Sequence, residues 1–362
     1  MFKEEKILLF PILLAIGGFS FEHQILEMGA TVSLIAAAVL IAAILAASLR
    51  VAHHAEVLAV KVGDPYGTMI LTLSAVAVEV LILAIMMSDA SSSPTLARDT
   101  IYAAVMLDIN GILGLAALLG GLKHGEQPYN DDSGKTYGVM ILTAMGISMV
   151  VPEFVPRDRW QFYSVFTIGA MIALYGLFLR MQVGTHSYFF SYSYPRGKRQ
   201  DAEEPGHAEA TEPAARSIGV ILFGVVLIGI LAEFMSSFIN VGLKDTSAPI
   251  ALTAILVAAI SAGPEILTAL RAALANRMQA TVNIAMGASL STVILTVPAM
   301  EAIALYTGQP FVMAMTPVQT VMVAITLIAA AINLNDGETN AIEGMTHFIL
   351  FATFIMLSLI GL

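Results

Sequence analysis

Three carboxylates lie well inside apolar stretches of this sequence, away from their ends: Glu79, Asp108 and Glu265. An ionisable group at bilayer depth costs several kcal/mol unless it is hydrated, paired or protonated, so each of the three marks a functional position. Glu265 follows Ser261-Ala-Gly-Pro, a helix breaker that frees backbone carbonyls beside the carboxylate. Ser261, Glu265 and Thr268 fall at i, i+4 and i+7, one polar stripe on an apolar helix. Glu79 is the only charged residue from Met69 to Met87, and Thr72 lies seven residues earlier on the same helical face. Asn110 stands about 200° from Asp108 on a straight helix, so both face one cavity only if the backbone opens between them. Asn283, Gly287 and Ser291 recur at i, i+4 and i+8, with Ser289 and Thr292 nearby.

These residue types suit the binding of a cation in competition with protons. A carboxyl pair in an apolar place holds protons readily, because its charged form loses hydration, whereas an arriving cation favours the ionised form. One site then holds protons or a cation but not both. If empty, charged carboxylates cannot cross between facing states, the result is exchange. Calcium takes about six to eight oxygens, and the metal ligands Glu79 and Glu265 supply at most four. The remainder falls to hydroxyls of Thr72, Ser261, Ser289 or Ser291, to Asp108 or Asn110, to freed carbonyls and to water. For Glu79 and Asp108 a buried helix-to-helix hydrogen bond is the alternative role. An ion channel would use similar polar residues but needs no carboxylate pair. An intramembrane hydrolase would need Ser-His, paired Asp or His-Glu-x-x-His at one depth. His53-His54 offers no such spacing, and reads as a hydrated pair at the membrane edge.

The elements that position these residues are membrane spans. With 57% hydrophobic and 12% charged residues and a mean hydropathy of +0.82, the chain is too apolar for one water-soluble domain. It is expected to be an all-α polytopic protein whose first partner is the lipid bilayer. Apolar runs long enough to cross the hydrocarbon lie at about 7–22, 30–49, 66–87, 99–120, 136–154, 160–180, 217–236, 248–270, 280–302, 310–332 and 341–361. With the N-terminus in the cytoplasm, thirteen of the 17 Lys and Arg residues fall in the alternate loops on that side, which sets orientation and puts the C-terminus outside. Without cysteine there is neither disulfide nor thiolate metal site, no cofactor is expected, and no basic run suggests nucleic acid. A monomer and a homo-oligomer both remain open.

Residues 184–216 are rich in charge and proline and read as a hydrated cytoplasmic linker. They separate five runs (30–183) from five (217–362), after a first helix and outer loop (1–29). In each half the second run carries a glutamate and the third carries Asn, Gly and small polar residues. Five is odd, so the halves insert oppositely, the inverted-repeat plan of secondary transporters.

Several of these stretches resemble a known family. Ser261 to Pro298, with Asn276-Arg-Met and Ile284-Ala-Met-Gly-Ala-Ser289, is similar to the second repeat of the cation/proton exchangers of the calcium/cation antiporter superfamily. Ala232-Glu-Phe and Asp336-Gly-Glu-Thr-Asn340-Ala-Ile-Glu343-Gly344 match that family's pattern in order. Val51-Ala-His-His-Ala-Glu-Val-Leu-Ala59 and Gly63-Asp-Pro-Tyr-Gly67 resemble its bacterial ChaA branch more narrowly. The resemblance implies an eleven-helix antiporter of a bacterial-type plasma membrane that moves a cation, calcium first, out of the cytoplasm for protons. Glu79 and Glu265 are the implied shared site, with Ser289 and Ser291 beside it. Calcium-selective members carry Gly-Asn-Ala before each glutamate, whereas this chain has Ser74-Ala-Val-Ala-Val and Ser261-Ala-Gly-Pro. Without those amides, sodium and potassium are the alternative cations.

Overall fold

The computed structural model describes residues 5–62, 66–88, 93–183, 187–190, 213–244, 249–308 and 311–362. In chain order the helices are α1 (Lys6–Glu27), α2 (Ala30–Val62), α3 (Tyr66–Ser88), α4 (Leu96–Met106), α5 (Gly114–His124), α6 (Asp131–Met145), α7 (Trp160–Val183) and α8 (Ala214–Leu243). They continue as α9 (Ile250–Ser261), α10 (Gly263–Leu274), α11 (Met278–Ser291), α12 (Val297–Thr307), α13 (Pro317–Asn333) and α14 (Ala341–Leu359). Each apolar run falls on one or two of these helices. Among the described residues eight helical stretches are long and apolar enough to cross a membrane, and the bent pair α9–α10, taken as one span, makes nine. The two remaining expected spans fall on α3 and α13, whose described apolar stretches are Thr72–Ser88 and Pro317–Asn333.

The chain divides into two compact units. One comprises α1, α2, α3 and α8. Its helices approach through small residues: a Cβ on Gly224 would meet Val51 at 2.5 Å, and one on Gly18 would meet Phe234 at 2.4 Å. One end of the unit is fastened by Glu5, whose Oε1 accepts from Arg50 (2.9 Å) and Arg216 (3.2 Å) and lies 3.0 Å from His54 Nε2. The other ring nitrogen of His54 is 3.3 Å from Ser217 Oγ. The hydrated His53-His54 pair expected from the sequence is therefore corrected for His54, which is fully buried, because α8 and the start of α1 close over it.

Burial pushes the Glu5 carboxyl up, but hydrogen bonds from His54 and Arg50 outweigh that and hold it below its ordinary value. A carboxyl lowered in this way stabilises the fold above its unfolded value and loses that contribution as pH falls through the lower folded one. Glu5→Gln should thus lower the unfolding temperature of the detergent-solubilised protein by roughly 2–4 °C at neutral pH. The gap to wild type should close below the ordinary carboxyl value of 4.5. A gap that does not change with pH would show that the carboxylate's charge plays no part.

The second unit holds α4–α7 and α9–α14 around a methionine-rich core in which Met106, Met145, Met149 and Met286 are fully buried. Two short strands, β1 (Gln127–Pro128) and β2 (Glu338–Thr339), pair antiparallel between the α5–α6 and α13–α14 loops. Asn130 and Asn340 then cap α6 and α14, accepting from the N–H groups of Asp132 (3.0 Å) and Ile342 (2.9 Å). Gln127 donates to Ala273 O at 2.9 Å and to Asn276 Oδ1 at 3.0 Å. Asn276, with φ 58°, supplies the left-handed residue that stops α10. The loops at 125–130, 275–277 and 334–340 thereby gather at one end of this unit. At the other end Val312 N donates to Pro94 O (3.0 Å) and Met315 N to Met149 O (2.9 Å). Leu13, Phe162 and Ile332 are among many large apolar side chains left exposed, as a lipid-facing surface demands.

The linker expected over 184–216 lies largely outside the described residues. Residues 187–190 form a helical turn in which Tyr188 O accepts from Asn130 and Phe190 O from Asn283, and α8 already begins at Ala214.

Candidate ion-binding site

Glu265 stands in the first turn of α10, where α9 and α10 meet at a 60° bend. Pro264 has no N–H to offer the carbonyl of Ile260 four residues back, so the α-helical ladder is interrupted there. Ser261 turns its hydroxyl onto Ala258 O at 3.0 Å, and Thr268 bonds Pro264 O at 2.8 Å. Both hydroxyls back-bond their own helical turn. A helix N-terminus tolerates a negative side chain, because its first N–H groups lack intrahelical partners. The breaker therefore does two things: it exposes carbonyls and it starts a helix at the carboxylate.

Asp108 and Asn110 lie in a π-helical segment, Leu107–Leu113, between α4 and α5. The wider turn is the opening of the backbone that the sequence required, yet it sends the two side chains to different helices. Asp108 is 2% exposed and accepts from Ser289 of α11 at 3.2 Å. Asn110, fully buried, donates to Thr326 of α13 at 2.7 Å. Its Oδ1 lies 2.8 Å from Nδ1 of His347 on α14. Since Asn110 Oδ1 only accepts, His347 Nδ1 carries the proton of that bond. Asn110 thus ties three helices together, while Asp108 and Ser289 form the polar pair.

Ser291 bonds Ala288 O at 2.9 Å and is half-buried, apart from the Asp108–Ser289 pair. Asn283, on the stripe that contains it, is engaged by Gln279 at 2.9 Å and holds Phe190 O at 2.8 Å. One of the other two π-helical turns among the described residues, Thr292–Thr296, follows directly, the remaining one being Gly146–Val150. Both third spans of the two halves therefore carry a π-turn next to small polar residues. In the other unit, Glu79 is 3% exposed on α3, and Thr72 is half-buried on the same helix.

Sequence reasoning passed over three buried polar groups. His347 falls four residues after Glu343 and seven after Asn340, a helical spacing that was available as a signal. Asp99, 8% exposed, accepts from Arg98 (2.7 Å), Thr95 (2.8 Å) and Gln319 (2.9 Å). Glu301, 2% exposed, stands at the margin of its apolar run.

Comparison with known proteins gives matches along the chain. Residues 32–184 match the family described as sodium/calcium exchanger protein. The sodium-potassium/proton antiporter ChaA of Escherichia coli (strain K12) is 32% identical over 355 residues, which cover 98% of this chain and 96% of that protein. A putative ionic transporter, y4hA, of Sinorhizobium fredii is 30% identical over 95% of this chain and 93% of its own. Among solved structures, the Ca2+/H+ antiporter protein YfkE has the same fold, with a TM-score of 0.73 at 16% identity, covering 97% of this chain and 99% of that one.

Proposed function

Because the chain belongs to the cation/proton exchangers of the calcium/cation antiporter superfamily, in its ChaA-like branch, we propose that it exports a cytoplasmic cation in return for protons. The observation that carries this reading is the end-to-end match to a proton antiporter at 32% identity, in a chain whose buried spans keep their carboxylates. Glu79 and Glu265 are the groups that hold the cation or, in its absence, protons. Asp108, positioned by Ser289, is the next acidic group on the route. Ser261, Ser291 and Thr72 contribute hydroxyls as they turn from their own helices. Asn110 is better assigned to holding α13 and α14 in place than to the cation.

Calcium is the cation expected from the family at large, and relatives named Ca2+/H+ antiporters support it. Sodium and potassium form the second reading, favoured by the ChaA match and by the missing amides before both glutamates. A shell completed by hydroxyls and water fits monovalent ions as well as calcium. The repeats insert oppositely, with eleven spans, the N-terminus and the β1–β2 end of the second unit in the cytoplasm, and the C-terminus outside.

Inside-out vesicles energised with a proton gradient test the reading. Calcium, sodium and potassium are added in turn while lumenal pH is followed. A cation-dependent rise in lumenal pH is expected, and the cation giving the lowest half-saturation is the physiological candidate. No rise with any of the three would overturn the proposal.

A further inference from the structure

Glu301 lies on α12 six residues before the helix ends at Thr307, about 9 Å along the axis. It belongs to no part of the site described above. Its neighbours come from α7 and from the π-turn Thr292–Thr296. Ser164 of α7, itself buried, donates its hydroxyl to the carboxyl. Tyr163 stands close by, but its hydroxyl is committed to Ile147 O at 2.7 Å. No cation faces the carboxyl from either element: α7 has its one basic residue, Arg180, in its last turn, and the π-turn has no ionisable side chain. The second carboxyl oxygen, Oε2, is buried with no hydrogen-bond partner among the described residues.

A carboxylate placed to form an ion pair would have an Arg or Lys within reach, as Asp99 has Arg98 on the same unit. Glu301 has a hydroxyl and an empty oxygen instead, which suits a group that takes up and releases a proton. The helix leading to it supplies a route. Ser289, Thr292 and Thr296 are all buried and recur at intervals of three and four, one per turn of the segment, with Glu301 just over a turn further on. The first of them, Ser289, is the hydroxyl bonded to Asp108. A row of hydroxyls thus begins at one buried carboxyl and leads to another.

We propose that Glu301 is a proton-binding residue of the exchanger, linking the exposed end of α12 at Tyr306 and Thr307 to Asp108 through the hydroxyls of Ser289, Thr292 and Thr296. This rests on the exchange reading given above. A proton from water adds to the Glu301 carboxylate. Each hydroxyl in the row accepts one proton and releases one, Asp108 receives the last, and Glu301 is returned as the carboxylate. No other reagent is consumed.

The test uses the full chain in proteoliposomes, with cation-dependent proton flux measured against pH and against cation concentration. Glu301→Gln should cut maximal flux about tenfold at alkaline pH, where protons are scarce, and leave the half-saturating cation concentration unchanged. Glu301→Asp, which keeps an ionisable group, should recover most of the flux, and Thr296→Val should reproduce part of the loss. A pH profile in Glu301→Gln that superimposes on wild type overturns the proposal, and so does a loss matched by weaker cation binding. Infrared difference spectra between acid and alkaline pH give a second readout that needs no transport. Other carboxyls also absorb there, so the spectrum of Glu301→Gln is subtracted from that of wild type: a carboxylic-acid carbonyl component should remain in the difference, and identical spectra overturn the proposal. If wild type shows no cation-dependent flux, the exchange reading has failed, while the infrared band still decides whether Glu301 titrates. Should Glu301→Gln not accumulate in membranes, Glu301→Asp carries the same test: a shifted band and a shifted pH profile support the proposal, and neither moving overturns it.

Discussion

Glu79→Gln and Glu265→Gln are each expected to reduce cation-dependent proton flux at least a hundredfold, about 2.7 kcal/mol or more of lost driving interaction. Glutamine has the size of glutamate and keeps one carbonyl oxygen, so little is asked of the packing around either position. What it removes is ionisation. Glu79 is buried on α3, and Glu265 sits at the start of α10 where the Gly263-Pro264 break interrupts the ladder. A cation that loses its hydration there must be repaid by negative charge, and hydroxyls such as Ser261 and Thr268, already bonded to their own turns, cannot replace it. A proton leaving the site needs the same ionisable group. Both half-reactions therefore fail together, which separates these residues from Glu301, where proton supply fails and cation binding does not. The measurement is flux in inside-out vesicles, normalised to the amount of protein in the membrane. Wild-type exchange in either variant sinks the assignment of that residue.

Much of this arrangement was legible in the sequence because it depends on local facts. Apolar length placed the helices, and a proline preceded by glycine placed the bend between α9 and α10. The 200° separation of Asp108 and Asn110 foretold that a straight helix would not bring them together. The structure answers with a π-turn and still sends them to different neighbours. What stayed hidden depends on partners far away in the chain. Asn110 meets Thr326 and His347 more than two hundred residues later, and His54 is covered by Ser217 and Glu5. Nothing in a periodic pattern names such partners. The motif Asp336 to Gly344, met first as a family signature, has a structural account here. Gly337, with φ 80°, turns the chain into β2, Asn340 caps α14, and Glu343 accepts from Asn340 at 2.9 Å.

Gly344 itself carries the second large effect. A Cβ at that position would lie 2.2 Å from Leu118 N and 2.7 Å from Ala117 C, and one at Gly121 would lie 2.3 Å from Ala341 N. The obstructing atoms are backbone, so no side-chain rotation relieves the clash, and α5 and α14 must move apart. Overpacking of this kind costs about 3 kcal/mol, and Gly344→Ala is expected to lower the unfolding temperature of the solubilised protein by about 6 °C or more. Gly176→Ala is the control, since nothing lies within 4 Å of a Cβ there and alanine favours the helix. Equal stability of the two variants would show that the close approach does not matter. The consequence reaches the site, because α5 continues directly from the π-turn that holds Asp108 and Asn110, and α14 carries the His347 that Asn110 grips. Separating these helices loosens Asp108 from Ser289, so Gly344→Ala should lose proton flux beyond its loss of folded protein, whereas a surface alanine of equal stability cost should not.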